Sequence, residues 1–239
     1  MTFRDIPGWT DAYRAFDLLV DRMPQHATIA ELGPLLGRAT IYLAQRIAST
    51  GRSGIIFAID LWPDALRDQP FLDDLVTANP GLRRSIAADL DRPTHEIFAR
   101  NVAACIPEDH PVRILPLRID AVEAASTFAP ESFDLAWLDD DHEHPHVRDE
   151  IAAWLPLVKS SGWIGGHDLD HPPVQRSIAE ALEPFQPMSY DPAEDDHPEL
   201  LHAPWNRRSW LIPRAATRVE ESIPDRDRGG TPEPNTQEG

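Results

Sequence analysis

The sequence predicts an α/β fold: a parallel, doubly wound sheet with helices on both faces. Three observations carry this. Short strand-like runs alternate with helical segments of about 10–15 residues, the rhythm of repeated βαβ units. The runs are continuously apolar, as a sheet covered on both faces requires. Acids and histidines stand at or just after the predicted strand ends, at Glu31, Asp60, Asp120, Asp139 and His167-Asp168. In such sheets ligands collect at the carboxyl ends of the strands, near the point where strand order reverses.

In chain order, the first twenty-odd residues read as an amphipathic helix. Thr10 or Asp11 is its cap, and Ala12, Phe16, Leu19 and Val20 form its apolar stripe. Residues 28–32 form a short strand and residues 38–49 a helix with Ile41, Leu43, Ala44 and Ile47 apolar. The run from Gly54 to Asp60 is a buried strand ending in an acid. Residues 61–92, with Pro63, Pro70 and Pro80, read as an insertion with one or two short helices. A helix near 93–106, a strand at 112–118 and a helix near 121–128 follow, then the strand Phe133 to Leu138. Residues 145–158 carry Val147, Ile151, Trp154, Leu155 and Val158 at helical spacing. The strand Gly162 to Gly166 and a helix from about 172 to 184 close the pattern. Residues 214–239 hold few aliphatic side chains and predict a disordered acidic tail. The domain plan is thus an N-terminal helix over residues 1–26, one domain over 27–213, and the tail.

Composition narrows the partners. Of 239 residues, 22 are Lys or Arg and 40 are Asp or Glu, a formal charge of −18. That balance argues against nucleic acid, which needs clustered cations to displace counterions. It argues equally against an anionic membrane surface. The single cysteine, Cys105, excludes an internal disulfide framework and a Cys-rich zinc site. No apolar run is long enough to span a bilayer, and the N-terminus is too polar for a signal peptide. The expected compartment is the cytoplasm. A homo-oligomer is left open.

The loop Glu31-Leu-Gly33-Pro-Leu-Leu-Gly37 joins the first strand to its helix. Gly33 suits a crowded or left-handed backbone position, and Gly37 lets the helix begin close to a ligand. Asp60, ending the next strand, can accept hydrogen bonds from both hydroxyls of a ribose. The pattern is E-x-G-x-x-x-G rather than G-x-G-x-x-G. It offers few glycine amides to a pyrophosphate, and Glu31 would repel phosphate. A carboxylate there suits a ligand with a cationic amino-acid end, which favours S-adenosylmethionine over NAD. The alternative is a tight strand–helix turn with incidental glycines. Asp120 either lies near an adenine or caps the helix that follows it, and the two roles are compatible.

The densest polar run is Asp139-Asp-Asp-His142-Glu-His144-Pro-His146, directly after the fourth strand. His167-Asp168 follows the fifth. Adjacent strands lie about 4.8 Å apart, so groups at two neighbouring ends can meet around one ion. A divalent cation relieves the repulsion of crowded carboxylates. Carboxylates with waters suit Mg²⁺ or Mn²⁺, and added imidazole shifts the choice toward Mn²⁺, Fe²⁺ or Zn²⁺. Asp139, His167 and Asp168 are the candidate ligands. A solvated acidic loop is the alternative, favoured for residues 143–146. The three histidines His142, His144 and His146 form a competing metal clip of the kind a hydrolase would use.

Three segments resemble class I S-adenosylmethionine-dependent methyltransferases. The likeness is strongest to the branch of small bacterial O-methyltransferases, cephalosporin-hydroxylase-like proteins and macrolide-sugar methyltransferases. They are Ile29-Ala-Glu-Leu-Gly-Pro-Leu-Leu-Gly-Arg-Ala-Thr40, Ile56-Phe-Ala-Ile-Asp-Leu-Trp62, and the block from Phe133 through His142 and Trp154 to Asp168. The resemblance covers residues 27–185. It implies a Rossmann-like, seven-stranded sheet. It implies that Glu31, Gly33 and Gly37 hold the methionine end of the cofactor, that Asp60 takes the ribose with Trp62 nearby, and that Asp120 lies at the adenine. It puts a metal on Asp139, His167 and Asp168, with Asp139 also facing the cofactor, and a general base at Asp141 or His142. The chain departs from the pattern D-G-D-H at Asp140, where the family has Gly. His144 replaces a usual aromatic, Glu150 replaces an Asp, and His167 replaces the carboxylate or amide that many metal-dependent relatives have at the second ligand position. The implied activity is O-methylation of a small hydroxylated molecule, with Mg²⁺ or Mn²⁺ as an assistant. Residues 61–92 and 188–205 would wall the acceptor site. A non-catalytic cofactor-binding protein and a metal-dependent hydrolase are the rival readings.

Overall fold

The computed structural model describes residues 1–9, 12–62, 65–182 and 209–217. Strands β1 (His26–Leu32), β2 (Ser53–Asp60), β3 (Val112–Arg118), β4 (Phe133–Leu138), β5 (Val158–Gly166) and β6 (Trp210–Pro213) form one sheet in the order β3-β2-β1-β4-β5-β6. The first five are parallel, and β6 runs antiparallel to β5. Strand order reverses between β1 and β4, the crevice where a doubly wound sheet binds its ligand. The described residues hold six strands, against the seven the resemblance implied.

The helices are α1 (Tyr13–Val20), α2 (Arg38–Ser49), α3 (Leu72–Ala78), α4 (Arg83–Asp89), α5 (Thr94–Cys105), α6 (Ala121–Ala125), α7 (His146–Trp154) and α8 (Pro172–Ala181). The expected insertion contains α3 and α4. The expected cap residues Thr10 and Asp11, the segment 188–205 and the tail beyond 217 lie outside the described residues. Residues 214–217, placed in the tail by composition, form a 3-10 turn after β6.

Two expected helices end early. Helix α7 stops at Trp154 because Pro156 lacks the N–H that another turn needs, and a 3-10 turn, Leu155–Leu157, follows. Val158 therefore opens β5 instead of closing a helix; its apolar spacing reflects burial in a strand. Helix α6 is only five residues long and does not reach residue 128.

Side chains alternate across the sheet and fill two layers. Ala30 and Leu32 of β1, Leu138 of β4 and Ile164 of β5 pack with Ile151, Trp154 and Ile178 from α7 and α8. Ile29, Ile56, Leu135 and Trp137 face the other way, onto Phe16, Leu19, Leu43 and Ile47 from α1 and α2. Phe16 meets Trp137 edge-on at 4.8 Å, and both are fully buried. Burying each such side chain contributes about 1.5–3 kcal/mol, so the amphipathic stripe of α1 belongs to the core. Trp210 is also buried, in β6. The same alternation continues past the strand ends. It sends Glu31, two residues beyond Ile29, to the face that α1 and α2 cover.

Candidate functional site

Residue pairing sets the floor of the site. Glu31 pairs with Ala58 and with Trp137, so Asp60 and Asp139 each stand two residues further along the neighbouring strands. A cavity of about 830 Å³ opens there, at the carboxyl ends of β1, β2, β4 and β5. It is large enough for a nucleoside-sized ligand. Glu31, Gly33, Asp60, Trp62, Asp139, Asp141, His142, His167 and Asp168 all line it. Gly37 and Asp120 do not. Gly37 precedes α2 in a left-handed conformation and packs against Phe98, while Asp120 caps α6 by accepting from the Glu123 amide at 2.9 Å. The capping alternative for Asp120 is therefore realised.

Gly33 has φ +75, and a Cβ there would lie 2.1 Å from the Asp139 carbonyl oxygen. The two loops after β1 and β4 touch backbone to backbone at this point, which is why no side chain fits. Glu31 is 2% exposed, and its Oε2 makes no hydrogen bond among the described residues. Burial pushes its carboxyl up to about 7, opposed by the neighbouring Thr40 hydroxyl and reinforced by Asp60. Such an oxygen facing a cavity is primed for a cationic partner.

Asp60 is also buried. Its Oδ1 accepts from the Trp62 amide at 2.6 Å and its Oδ2 from the Leu35 amide at 3.2 Å. Burial raises this carboxyl to about 7 against those two bonds, with the Asp140 charge adding to the rise. Each carboxylate oxygen accepts twice, so ribose hydroxyls still find lone pairs here. Trp62 is 1% exposed, and its ring packs on Phe98 with centroids 4.8 Å apart. Its indole braces the loop.

At the other end of the cavity, one ligand atom each from Asp139, His142 and Asp168 lie within 4.8 Å of one another. Asp168 Oδ2 is 3.0 Å from both His142 Nε2 and His167 Nδ1. His167 Nδ1 is also 3.6 Å from Asp139 Oδ1. The converging set thus includes His142, which the resemblance offered as a base, and His167 reaches the same two carboxylates. Burial alone would raise Asp168, but His167, His142 and His171 together hold it below the ordinary carboxylate range. Burial pushes His142 down, against the pull of Asp168. Neutral imidazole and ionised carboxylate are the forms that ligate a metal.

The three histidines do not form a clip. His142 turns to Asp168, His144 Nε2 lies 2.8 Å from Glu180 Oε2, and His146 Nε2 lies 3.4 Å from Glu150 Oε1. The three side chains take separate carboxylate partners and splay apart. Asp141 is exposed and accepts from the Glu143 amide at 2.8 Å, an Asx turn at the cavity mouth.

Sequence reasoning missed one wall. Pro7, Gly8 and Trp9 reach the cavity from the N-terminal segment, opposite Phe71 of the insertion. Trp9 and Phe71 meet edge-on at 6.1 Å. Arg38 joins them, donating to the Gly8 carbonyl at 2.9 Å and to Asn79 Oδ1 at 2.7 Å. No local signal announces contacts between residues so far apart in the chain.

Residues 30–169 match a family model described as a methyltransferase domain, which is more than half of the chain. No curated protein matches it. Among solved structures the chain is similar to a protein from Corynebacterium glutamicum, 12% identical, with a TM-score of 0.51 over 88% of this chain and 83% of that one. It is also similar to a SAM-dependent O-methyltransferase from Thermotoga maritima (15% identical, TM-score 0.41, 74% of this chain and 51% of that one). The O-methyltransferase TomG from Streptomyces achromogenes, solved in complex with SAM, is 16% identical with a TM-score of 0.44 over 73% of this chain and 68% of that one. The chain spans about half the length of the Thermotoga protein. No described helix is long and apolar enough to cross a membrane.

Proposed function

The chain belongs to the methyltransferase-domain family, and from that premise we propose that it is an S-adenosylmethionine-dependent O-methyltransferase acting on a small hydroxylated molecule with a divalent ion assisting. The observation that carries the reading is buried Glu31, which lines the cavity beside a second buried acid, Asp60, and whose Oε2 makes no hydrogen bond among the described residues. A phosphate-bearing cofactor would be repelled there. The ammonium of a methionine end would satisfy Glu31, and ribose hydroxyls would satisfy Asp60. The donor set of Asp139, His142 and Asp168, with His167 against the same two carboxylates, fits a divalent ion that accepts nitrogen as well as oxygen, Mn²⁺ better than Mg²⁺.

When bound, S-adenosylmethionine supplies the methyl group, and the ion supplies the positive charge that lowers an acceptor hydroxyl's pKa. The chain does the rest. Glu31 and Asp60 fix the cofactor at the β1–β2 end. Asp139, His142 and Asp168 would hold the ion at the acceptor end. Asp141, at the mouth of the same cavity, takes the hydroxyl proton. His142 is better placed to ligate than to accept that proton, because its Nε2 already engages Asp168. The wall of Trp9, Phe71 and Arg38 keeps water from the acceptor and aligns it with the methyl donor.

Calorimetry with S-adenosylhomocysteine, with and without Mn²⁺, tests the reading. One equivalent binds the wild-type chain, and Glu31→Gln weakens it. Asp139→Ala keeps cofactor binding but loses every ion-dependent increment in methyl transfer to polyhydroxylated acceptors. No heat with the wild-type chain would sink the cofactor assignment. Full activity in Asp139→Ala would remove the ion. Turnover of an ester or amide without cofactor would favour the hydrolase.

A further inference from the structure

Two of the four positions at which the chain departs from its family's pattern, Asp140 and Glu150, fall within one cluster, next to the site above and sharing Asp140 with its cavity wall. Ligand atoms of Asp140, His146 and Glu150 lie within 4.8 Å of one another. The sequence makes this possible in two ways. His146 and Glu150 are four residues apart on α7, so they share one face of the helix. Asp140 directly follows Asp139, so consecutive residues after β4 face two clusters: Asp139 the one with Asp168, Asp140 the one on α7.

The independent sign of a ligand is Glu150. It is 0% exposed, yet neither carboxylate oxygen makes a hydrogen bond among the described residues. Oε1 has only the His146 Nε2 at 3.4 Å, an ion-pair approach off hydrogen-bond geometry. A fully buried carboxylate is costly unless it is paired and hydrogen-bonded. One imidazole cannot balance two carboxylates, and Asp141 adds more negative charge nearby. Glu150 and the nearby Asp140 and Asp141 hold His146 up to about 9, so the acids of this cluster already draw the only cation within their reach among the described residues.

We propose that Asp140, His146 and Glu150 bind a second divalent transition-metal ion. Two carboxylate oxygens and one imidazole nitrogen suit Mn²⁺, Fe²⁺ or Zn²⁺ and disfavour Ca²⁺ and Mg²⁺, which take all-oxygen sets. The ion fastens the loop after β4 to α7. Asp141 and His142 lie on the chain between Asp140 and His146, so the second ion positions both of them without touching substrate.

The test counts Mn²⁺ on the full chain after chelator dialysis, by electron paramagnetic resonance of the free ion, without cofactor. The wild type binds two equivalents. Glu150→Gln and His146→Ala each lose one, and Asp168→Asn loses the other. His146 is partly exposed, so its variant keeps the fold even if the buried Gln does not, and circular dichroism confirms this. A single equivalent that survives Asp168→Asn and vanishes in His146→Ala also supports the second site, while removing the first. Mn²⁺ stoichiometry unchanged by both His146→Ala and Glu150→Gln overturns the proposal, and Glu150 is then a buried acid paired with His146 alone.

Discussion

The indole of Trp62 donates a 2.8 Å hydrogen bond to the carbonyl of Leu35, tying the loop after β2 to the loop after β1. Both residues have left-handed backbones, with φ of 44 for Trp62 and 50 for Leu35. Both donate their amides to the same carboxylate, Asp60. A non-glycine residue in that region costs about 1–2 kcal/mol and persists only where its surroundings hold it. The cradle around Asp60 is therefore held in shape by three hydrogen bonds that close a ring.

Opening the ring at its indole tests this. Trp62→Phe keeps the packing on Phe98 but leaves the Leu35 carbonyl without its donor. The expected loss is about 2 kcal/mol of stability, the usual effect of stranding a buried acceptor. S-adenosylhomocysteine affinity falls about tenfold, because both loops relax together. Denaturant melts and calorimetry read the two effects. Unchanged cofactor affinity would separate the loop brace from the site.

Gly33 and Gly51 form a matched pair. Both have left-handed backbones, φ +75 and +74, but a Cβ at Gly33 meets the Asp139 carbonyl at 2.1 Å, whereas one at Gly51 meets nothing within 4 Å. Gly51→Ala carries only the backbone cost of about 1 kcal/mol. Gly33→Ala adds a clash between two loop backbones and is expected to cost several-fold more, with loss of cofactor binding. Equal melting shifts for the two variants would show that the loops after β1 and β4 part easily.

On the proposed reading, Glu31 makes cofactor binding pH-dependent. Its carboxyl titrates near 7 in the folded chain, mainly through burial, against an ordinary value of 4.5. Between those values the folded state holds a proton that the unfolded state has released. Stability contributed by this group therefore falls as pH rises from about 4.5 to 7. A bound ammonium favours the ionised form, so binding S-adenosylhomocysteine at pH 6 releases a proton and tightens as pH rises toward 7. Calorimetry in buffers of different ionisation enthalpy counts that proton. The Glu31→Gln variant is expected to release less. Identical proton release in wild type and variant would assign the effect to Asp60, which burial also raises to about 7.

The strands and the chemistry at their ends were legible because both signals are local. An apolar run that stops at an acid reads the same in sequence and in space, as β2 and Asp60 show. The fate of those acids was less legible. Asp120 looks like Asp60 in sequence, yet it caps a short helix and stands outside the cavity. His142 joins His167 at the carboxylates, because the loop after β4 folds back to bring its imidazole within 3.0 Å of Asp168, a contact that spacing along the chain does not announce. Glu150 stood out only as a departure from the family's Asp, since nothing in a helical pattern says that a charged position is covered completely. Asn79 has an apolar-looking neighbourhood in sequence, but it is buried against residues some seventy positions earlier.

That last contact carries its own prediction. Asn79 Oδ1 accepts from the Gly8 amide at 3.3 Å and from Arg38 Nη1 at 2.7 Å, while Arg38 also donates to the Gly8 carbonyl and, from Nε, to the Tyr13 hydroxyl at 3.0 Å. One guanidinium thus joins the N-terminal segment, α1, α2 and the end of α3. Lysine has the charge but not the fork, so it can keep at most part of this set. Arg38→Lys and Arg38→Met should both lose about 2 kcal/mol, as for hydrogen bonds from a charged donor, and expose residues 1–9 to proteolysis. The clamp shapes the wall of Trp9 and Phe71, whereas the proposed cofactor floor is Glu31 and Asp60. S-adenosylhomocysteine affinity should therefore change less than about twofold in these variants, even as acceptor KM rises. If cofactor affinity instead falls as far as it does in Trp62→Phe, wall and floor are one mechanical unit, and the N-terminal segment is part of the cofactor site.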